Sequence, residues 1–518
     1  MYHDADGDLC DRLYTAHLRV HLLDLLPENM KELVILAEDV SSPVHDAFLA
    51  LSSANLSYLE SKHEGTILEY PATLEVVRNP LHTLRAAAYF QRASKKIRLD
   101  EYTDLESLAA TIGLLGYYEL ELGSVQSFQW HLCAFNDIIR QHEETFSCSP
   151  IGTASLQMWI TLYVRSLTFV FPTRLYPEDP DAALLHKIAY KHATPYQALS
   201  MVVADAANVS HRLLLVSCMR LGFEDTRTVL QKVVTWYSTM RSPLSMEPCR
   251  PVQDPLGDDQ ICLVLSELRS CLAKLNINTT ILSSLPKLGP ASSSSEGHPA
   301  EVETTHSEDI PIKSLGITPL TFHTHDETML HALHATAQLA CEESHIEYMR
   351  SKKRSYTPPL SPWLRLLLCI AEGIITAPQT ASACLLKNVY APQGIASLVL
   401  QAALKCPWHI GALTYLSQRF FPQLQAASGN PSGGPPPATR EESNIPLALY
   451  ARIMRYLRFE ALRGREVFIV AFDQDQTVDT GSTFALLHRP LVLTVHGRSA
   501  GPNGGFFNDC VRVGVVDS

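Results

Sequence analysis

The chain has 518 residues, of which 46% are hydrophobic and 19% charged, with a formal net charge of −12 at neutral pH. The apolar share is large enough for a sizeable core and the length allows two to four domains, which excludes a disordered acidic chain. No apolar run reaches the roughly 20 residues of a membrane span, and the acidic balance disfavours direct nucleic-acid binding, which draws its affinity from clustered Lys and Arg.

The closest approach to a span, Leu364 to Thr376, is short and carries Arg365 and Glu372. The opening MYHDADGDLC is acidic and does not read as a secretory signal. Twelve cysteines are scattered from Cys10 to Cys510 without a CxxC pair or another metal-ligand spacing, so they read as small core residues of a reducing compartment.

Taken in order, residues 9–26 predict a helix with Leu9, Leu13, Ala16 and Val20 on one face. Ser42–Pro43 reads as an N-cap and first helical position, opening a helix that Gly65 closes, and Asn79–Pro80 repeats the device ahead of residues 81–99. The best-patterned stretch is Leu105 to Gln141. Leu105, Leu108, Ile112, Leu115 and Tyr118 recur at steps of three and four, as do Val125, Phe128, Leu132, Phe135 and Ile139. Gly123 and Ser124 supply a stop and a cap between the halves, giving a helical hairpin with one buried face on each arm. Further helices are predicted at 155–171, 195–221, 225–241 and 258–275, the last with Asp258 and Asp259 at its N-terminus. Alternating strand patterns are almost absent from the first 280 residues.

Residues 285–310 turn to Pro, Ser, Gly, Glu and Thr, a composition that cannot repay the entropy of ordering. Helical periodicity returns at 326–351, 362–376, 380–404 and 407–425. A second Pro/Gly-rich stretch, 426–444, precedes one more helix, and two apolar runs in the last fifty residues look like strands. The expected architecture is therefore all-α: a multi-helix array of antiparallel hairpins with a short irregular or β-containing C-terminal tail. The expected segmentation begins with a helical region over residues 1–284 and a linker over 285–310. A second helical region over 311–425, a linker over 426–444, a helix over 445–466 and a tail over 467–518 follow. The odd tail reads either as a local β-hairpin or as an extended gene model.

Five strings invite chemistry. FDQDQT, Phe472 to Thr477, follows a strand-like run and resembles the first motif of haloacid-dehalogenase-type phosphatases, but too few residues follow it to build that fold. HTHDETMLHALH offers His323, His325, Asp326, His331 and His334 as zinc ligands, yet lacks the acid/base partner of an HExxH site and reads as surface histidines with Asp326 in the first turn of a helix. Arg452, Arg455, Arg458 and Arg463 line the helix 449–462 as a solvated basic face. The short basic strings at 92–98 and 350–356 are weak nuclear-import candidates. P-loops, dinucleotide fingerprints, nucleophile elbows and DDxxD motifs do not occur in the sequence, and no catalytic, cofactor or metal residue is assigned.

Three consecutive pieces resemble the regulatory ("fungal-specific transcription factor") domain of zinc-cluster factors. AFLALSSANLSYL (47–59) resembles its first small-residue helix, and LHTLRAAAYFQRASKKIRL (81–99) is similar to the next. LAATIGLLGYYELELGSVQSFQWHLCAFNDII (108–139) looks like its hairpin, with Tyr118–Glu119 ahead of Phe128, His131 and Leu132. Ala134 stands where a Gly is common, and Cys10 is the single cysteine before Cys133, so the six-cysteine DNA-binding cluster is missing. The resemblance implies a nuclear, non-enzymatic regulator of RNA polymerase II transcription that acts through homo- or heterodimerisation, the transcription machinery and a small-molecule effector. DNA contact then comes from a partner or a missing N-terminal module. The alternative expectation is a cytosolic α-helical scaffold, and a third is an unrecognised helical enzyme.

Overall fold

A computed structural model describes residues 3–60, 62–65, 74–77, 79–99, 104–122, 125–168, 180–219, 258–275, 277, 282, 315–350, 358–377, 393–427, 447–472, 491–499 and 505–513. The helix expected at 225–241, the stretches 285–310 and 428–444, the residues 351–356 and 380–392, and DQDQT lie outside the described residues, as do Gly123 and Ser124.

The architecture is all-α with a small β-tail. Helix α1 (His3–His17) runs on through a π-helical turn, Leu18–Leu22, and is followed by a 3-10 turn, Glu32–Ala37. Helix α2 (Pro43–Leu59) starts as its sequence dictates: the Ser42 hydroxyl accepts from the Val44 amide at 3.2 Å. It stops at Leu59, however, and Gly65 belongs instead to a strand pair, β1 (Lys62–Gly65) and β2 (Leu74–Val77), antiparallel with Lys62 opposite Val77. In α3 (Pro80–Leu99) the Asn79 carboxamide accepts from the Leu81 amide at 3.0 Å. Helices α4 (Leu105–Leu122) and α5 (Val125–Phe146) form the expected hairpin, and His142 (φ −132°) kinks α5 one residue beyond Gln141.

The hairpin's arms differ. On α5, Phe128, Leu132, Phe135 and Ile139 are all buried on one face, as their spacing requires. Helix α4 is buried all round over Gly113–Glu121, and Ala109 and Ala110 are buried before it, whereas Leu105, Leu108 and Ile112 of the expected stripe are only half-buried. Gly113 makes this possible, because a Cβ there would collide with Met158 and Phe135.

Helices α6 (Pro150–Thr168) and α7 (Pro180–His192), the latter not legible from periodicity, complete a first core around Trp159, Phe48, Phe128 and Phe135. Helix α8 (Pro195–Met219) belongs to both cores, with Met201 in the first and Leu199, Val202, Val203 and Ala206 in the second. The second core adds α9 (Asp258–Lys274), α10 (His325–Ala340), α11 (Glu343–Arg350), α12 (Pro362–Thr376), α13 (Ile395–Lys405), α14 (Ile410–Tyr415) and α15 (Leu447–Leu462). Gly464, at φ +75°, ends α15 by taking the left-handed conformation and sends the chain into the tail.

The tail is an antiparallel meander, β3 (Arg465–Phe472), β4 (Leu491–Ser499) and β5 (Phe506–Val513), in the order β3-β4-β5. Val467, Phe468, Val470, Leu493 and Val495 bury its inner face in the second core. One buried ion pair ties it down: Arg498, 3% exposed, donates through Nη2 to Glu466, 1% exposed, at 2.7 Å. The Tyr348 hydroxyl of α11 donates to the same carboxylate at 2.8 Å, and Arg498 Nη1 donates to the Tyr348 carbonyl at 3.0 Å. The tail is therefore built into the second core.

Candidate functional site

The histidine string does not assemble a metal site. Thr324 caps α10, its hydroxyl accepting from the Glu327 amide at 3.1 Å, and Asp326 sits in the first turn as expected. His331 stacks on Phe322 at 4.8 Å between ring centres, and His334 meets Trp363 edge-on at 5.3 Å and shares a 3.1 Å hydrogen bond with Gln338. Both are buried, so the expectation of surface histidines is corrected for these two, which Phe322 and Trp363 cover, while His323 is exposed and His325 half-buried. Burial holds His334 near a pKa of about 4 and lowers His331 in the same direction, so both are neutral at physiological pH. Among the described residues no three His, Cys, Asp or Glu side chains are grouped to hold a metal ion.

The solvated basic face on α15 is also corrected. Arg452 is buried, with Nη2 donating to the Val513 carbonyl at 2.6 Å, and Arg458 donates to the Thr414 hydroxyl at 3.3 Å, which leaves Arg455 and Arg463 as the outward cations. The basic string at 92–98 lies on α3, where Arg92 and Lys96 both pair with the fully buried carboxylate of Asp46, the Lys96 contact being 2.8 Å.

Two polar clusters carry no sequence signal. At the end of α13, Cys406 Sγ lies 3.5 Å from His345 Nδ1 beside the buried Lys405, with Trp408 packed on His345 at 5.2 Å. Burial raises the Cys406 thiol well above its ordinary value, lowers His345 to about 4 and lowers Lys405 to about 7. Cys406 and His345 are both about 1% exposed, so the pair is closed off from solvent within the second core. Between α6, α7 and α8, His186 bridges the Tyr163 hydroxyl at 3.4 Å and the Asp205 carboxylate at 2.9 Å, and Tyr190 donates to the same carboxylate at 2.8 Å. Tyr163 is 2% exposed, whereas the His186 and Asp205 side chains are 24% and 18% exposed, so the relay runs from the core towards the surface.

Among the described residues, one feature open to a ligand is a groove of about 780 Å³ beside α1. One wall is Arg12, Thr15, Ala16, Arg19 and Val20, the other Val34, Ala37, Glu38 and Val40, and the floor includes Leu18, Phe48 and Leu49. Its size falls in the range of binding clefts and its floor is apolar. The groove exists because the helix docks by the face of Tyr14, Leu18 and Leu22 and leaves the row of Leu9, Leu13 and Val20 outward. Tyr14, Leu18 and Leu22 are buried, whereas Leu9 is 67%, Leu13 47% and Val20 63% exposed. Polar contacts lock that choice: the Ser52 hydroxyl donates to the Tyr14 carbonyl at 2.7 Å, and His17 and Asn55 lie 2.9 Å apart. The sequence stretch 9–26 is apolar on two faces, and periodicity does not say which one meets the core.

Compared with known proteins, the chain matches no family model, no curated protein and no solved structure.

Proposed function

We propose that this chain is a fungal transcription-regulator-like protein: the helical regulatory domain of a zinc-cluster factor without the DNA-binding cluster, acting in the nucleus through protein partners. One observation supports the reading above the others. The residues that carry the resemblance come from separate pieces of sequence and converge in the first core. Phe90 of α3 stacks on Tyr118 of α4 at 4.9 Å and meets His131 of α5 edge-on at 5.8 Å. His131 in turn lies 4.0 Å from Glu119. Burial lowers His131 to about 4, so the ring is neutral and the cluster is a packing device that fixes α3 against the hairpin. This reading makes the groove beside α1 a partner surface and assigns no catalytic residue, cofactor or metal.

The test is a tagged full-length chain expressed in a fungal cell, alone and fused to a heterologous DNA-binding module. Nuclear accumulation and a change in reporter output from the fusion are expected, with no sequence-selective mobility shift by the chain alone. Cytoplasmic confinement together with a silent fusion would overturn the proposal in favour of a cytosolic scaffold.

A further inference from the structure

We infer that His345, Trp408 and His409 form an acid-sensitive latch, and that mild acidification releases the β-tail while the first core keeps its fold. His345 of α11 is 1% exposed, and Trp408, on the turn between α13 and α14, is 9% exposed. The indole stands between two imidazoles, its ring centre 5.2 Å from His345 and 5.9 Å from His409. Nε2 of both imidazoles and Nε1 of the indole are buried without a hydrogen-bond partner, so no side-chain hydrogen bond fixes the indole in place. A third ring against it is Tyr348, at 4.4 Å. Tyr348 holds the tail: its hydroxyl donates to Glu466 at 2.8 Å, its carbonyl accepts from Arg498 at 3.0 Å, and the Arg498 guanidinium covers its ring at 4.6 Å. One indole thus connects two titratable rings to the anchor of β3 and β4.

What faces the two rings opposes a proton on either. His345 Nδ1 lies 3.5 Å from the Cys406 thiol and 3.7 Å from the Glu342 carboxylate, which already accepts from the Ser361 hydroxyl. His409 bonds the Pro359 backbone and faces His345 and the same Glu342. The buried Lys405 amine, beside Cys341 and Cys406, brings no negative charge. An imidazolium needs an acceptor at each nitrogen, and neither Nε2 has one. A charge on one ring also repels a charge on the other, and attraction to the indole face offsets only part of this. Burial accordingly lowers both rings from 6.5 to about 4. The tail carries a third ring of this kind. His496 is 6% exposed, with Nδ1 unpartnered, opposite Ile469 and Asn508 and two residues before Arg498 on the same face of β4. Burial lowers it to about 4 as well.

In the first core His82, His186 and His192 lie 2.9, 2.9 and 2.8 Å from Glu60, Asp205 and Glu143, so each gains its proton beside a carboxylate already in place. His131, lowered to about 4 with Glu119 at 4.0 Å, departs from that pattern. The sign of the response follows. Above pH 6.5 the latch rings are neutral whether it is closed or open, and their contribution to closure is whole. Between 6.5 and about 4 the open latch binds protons that the closed one does not, so closure weakens as pH falls. From pH 7.5 to pH 5, each ring freed makes opening about 30-fold easier. None of these residues belongs to the pieces that carry the family resemblance, so the latch stands or falls apart from the proposed function.

The experiment is amide hydrogen exchange on the full chain at pH 7.5 and pH 5, corrected for the intrinsic pH dependence of exchange and read in β4, β5, α4 and α5. Protection in β4 and β5 should fall at least several-hundred-fold at pH 5, while that in α4 and α5 changes by less than about tenfold. His345→Phe/His409→Phe keeps a ring on each side of Trp408 but takes up no proton. It should cut the response of the strands to the roughly 30-fold due to His496. His334→Phe, which alters a buried imidazole packed on Trp363 instead, should leave the response whole. Equal loss of protection in the tail and in α4 and α5, or tail protection indifferent to pH, would overturn the latch. So would an undiminished response in the double variant, or an equal reduction by His334→Phe. Should the double variant not fold, the wild-type contrast between the tail and α4 and α5 decides by itself.

Discussion

Replacing Arg498 by Met tests the claim that the β-tail is an integral component of the second core. The substitution keeps much of the side chain's volume but removes a guanidinium that bonds Glu466 through Nε and Nη2 at 3.2 and 2.7 Å and the Tyr348 carbonyl at 3.0 Å. Both partners of the ion pair are buried, so the Glu466 carboxylate is left inside the core without its countercharge. Breaking a buried pair from one side costs about 3–5 kcal/mol, a large share of the roughly 5–15 kcal/mol that keeps a domain folded. The double variant Arg498→Met/Glu466→Met removes the stranded charge and should recover most of that loss, the remainder reflecting the unsatisfied Tyr348 hydroxyl at about 1–3 kcal/mol. Urea unfolding followed by circular dichroism of wild type, the two single variants and the double variant gives the four stabilities and the coupling between the sites. A single Arg498→Met variant within about 1 kcal/mol of wild type, or a double variant as unstable as the two singles added, would refute the reasoning and place the tail outside the cooperative unit.

Phe128 is wholly buried in the first core, so Phe128→Asp should unfold it by placing an unpaired carboxylate among Leu132, Phe135 and their neighbours, and an unchanged melting temperature would contradict that packing. Lys405 offers a pH test. Its pKa is lowered by burial from 10.5 to about 7, so between those values the unfolded chain binds the proton and the folded chain does not. Stability from this group therefore rises with pH across that window and is at its lowest below about 7. Lys405→Met should raise the melting temperature at pH 7 and flatten the difference between pH 7 and 10; a variant that melts lower at pH 7 would show that the amine is stabilising where it lies.

Most of the helical layout was readable because the apolar residues of α5, α9 and α12 repeat at helical spacing and because Ser42–Pro43 and Asn79–Pro80 carry their caps in the sequence. What periodicity missed has physical causes. The second half of α4, Gly113–Glu121, is buried on every side, and its Gly113, too small to register in a stripe, allows close approach by Met158 and Phe135. His331, His334 and Arg452 are polar residues that the sequence assigns to solvent. Their covers, Phe322, Trp363 and the Val513 carbonyl, come from elsewhere in the chain and are set only by the tertiary fold. The groove was hidden for the same reason. Leu9, Leu13 and Val20 promise a core contact, and only the docking of Tyr14 and Leu18 shows that the promise is kept on the opposite face.

Helix α8 sends side chains into both cores, and Gln393, beside α13, donates to its Ser200 carbonyl at 3.3 Å while Gln197 donates to the Gln157 carbonyl of α6 at 2.8 Å. A wall shared in this way makes neither half a self-sufficient piece, because whichever half is cut away takes one side of α8's support with it. A substitution that loosens α8 from the first core therefore also weakens a wall of the second, the core in which the strands anchored by Arg498 are seated.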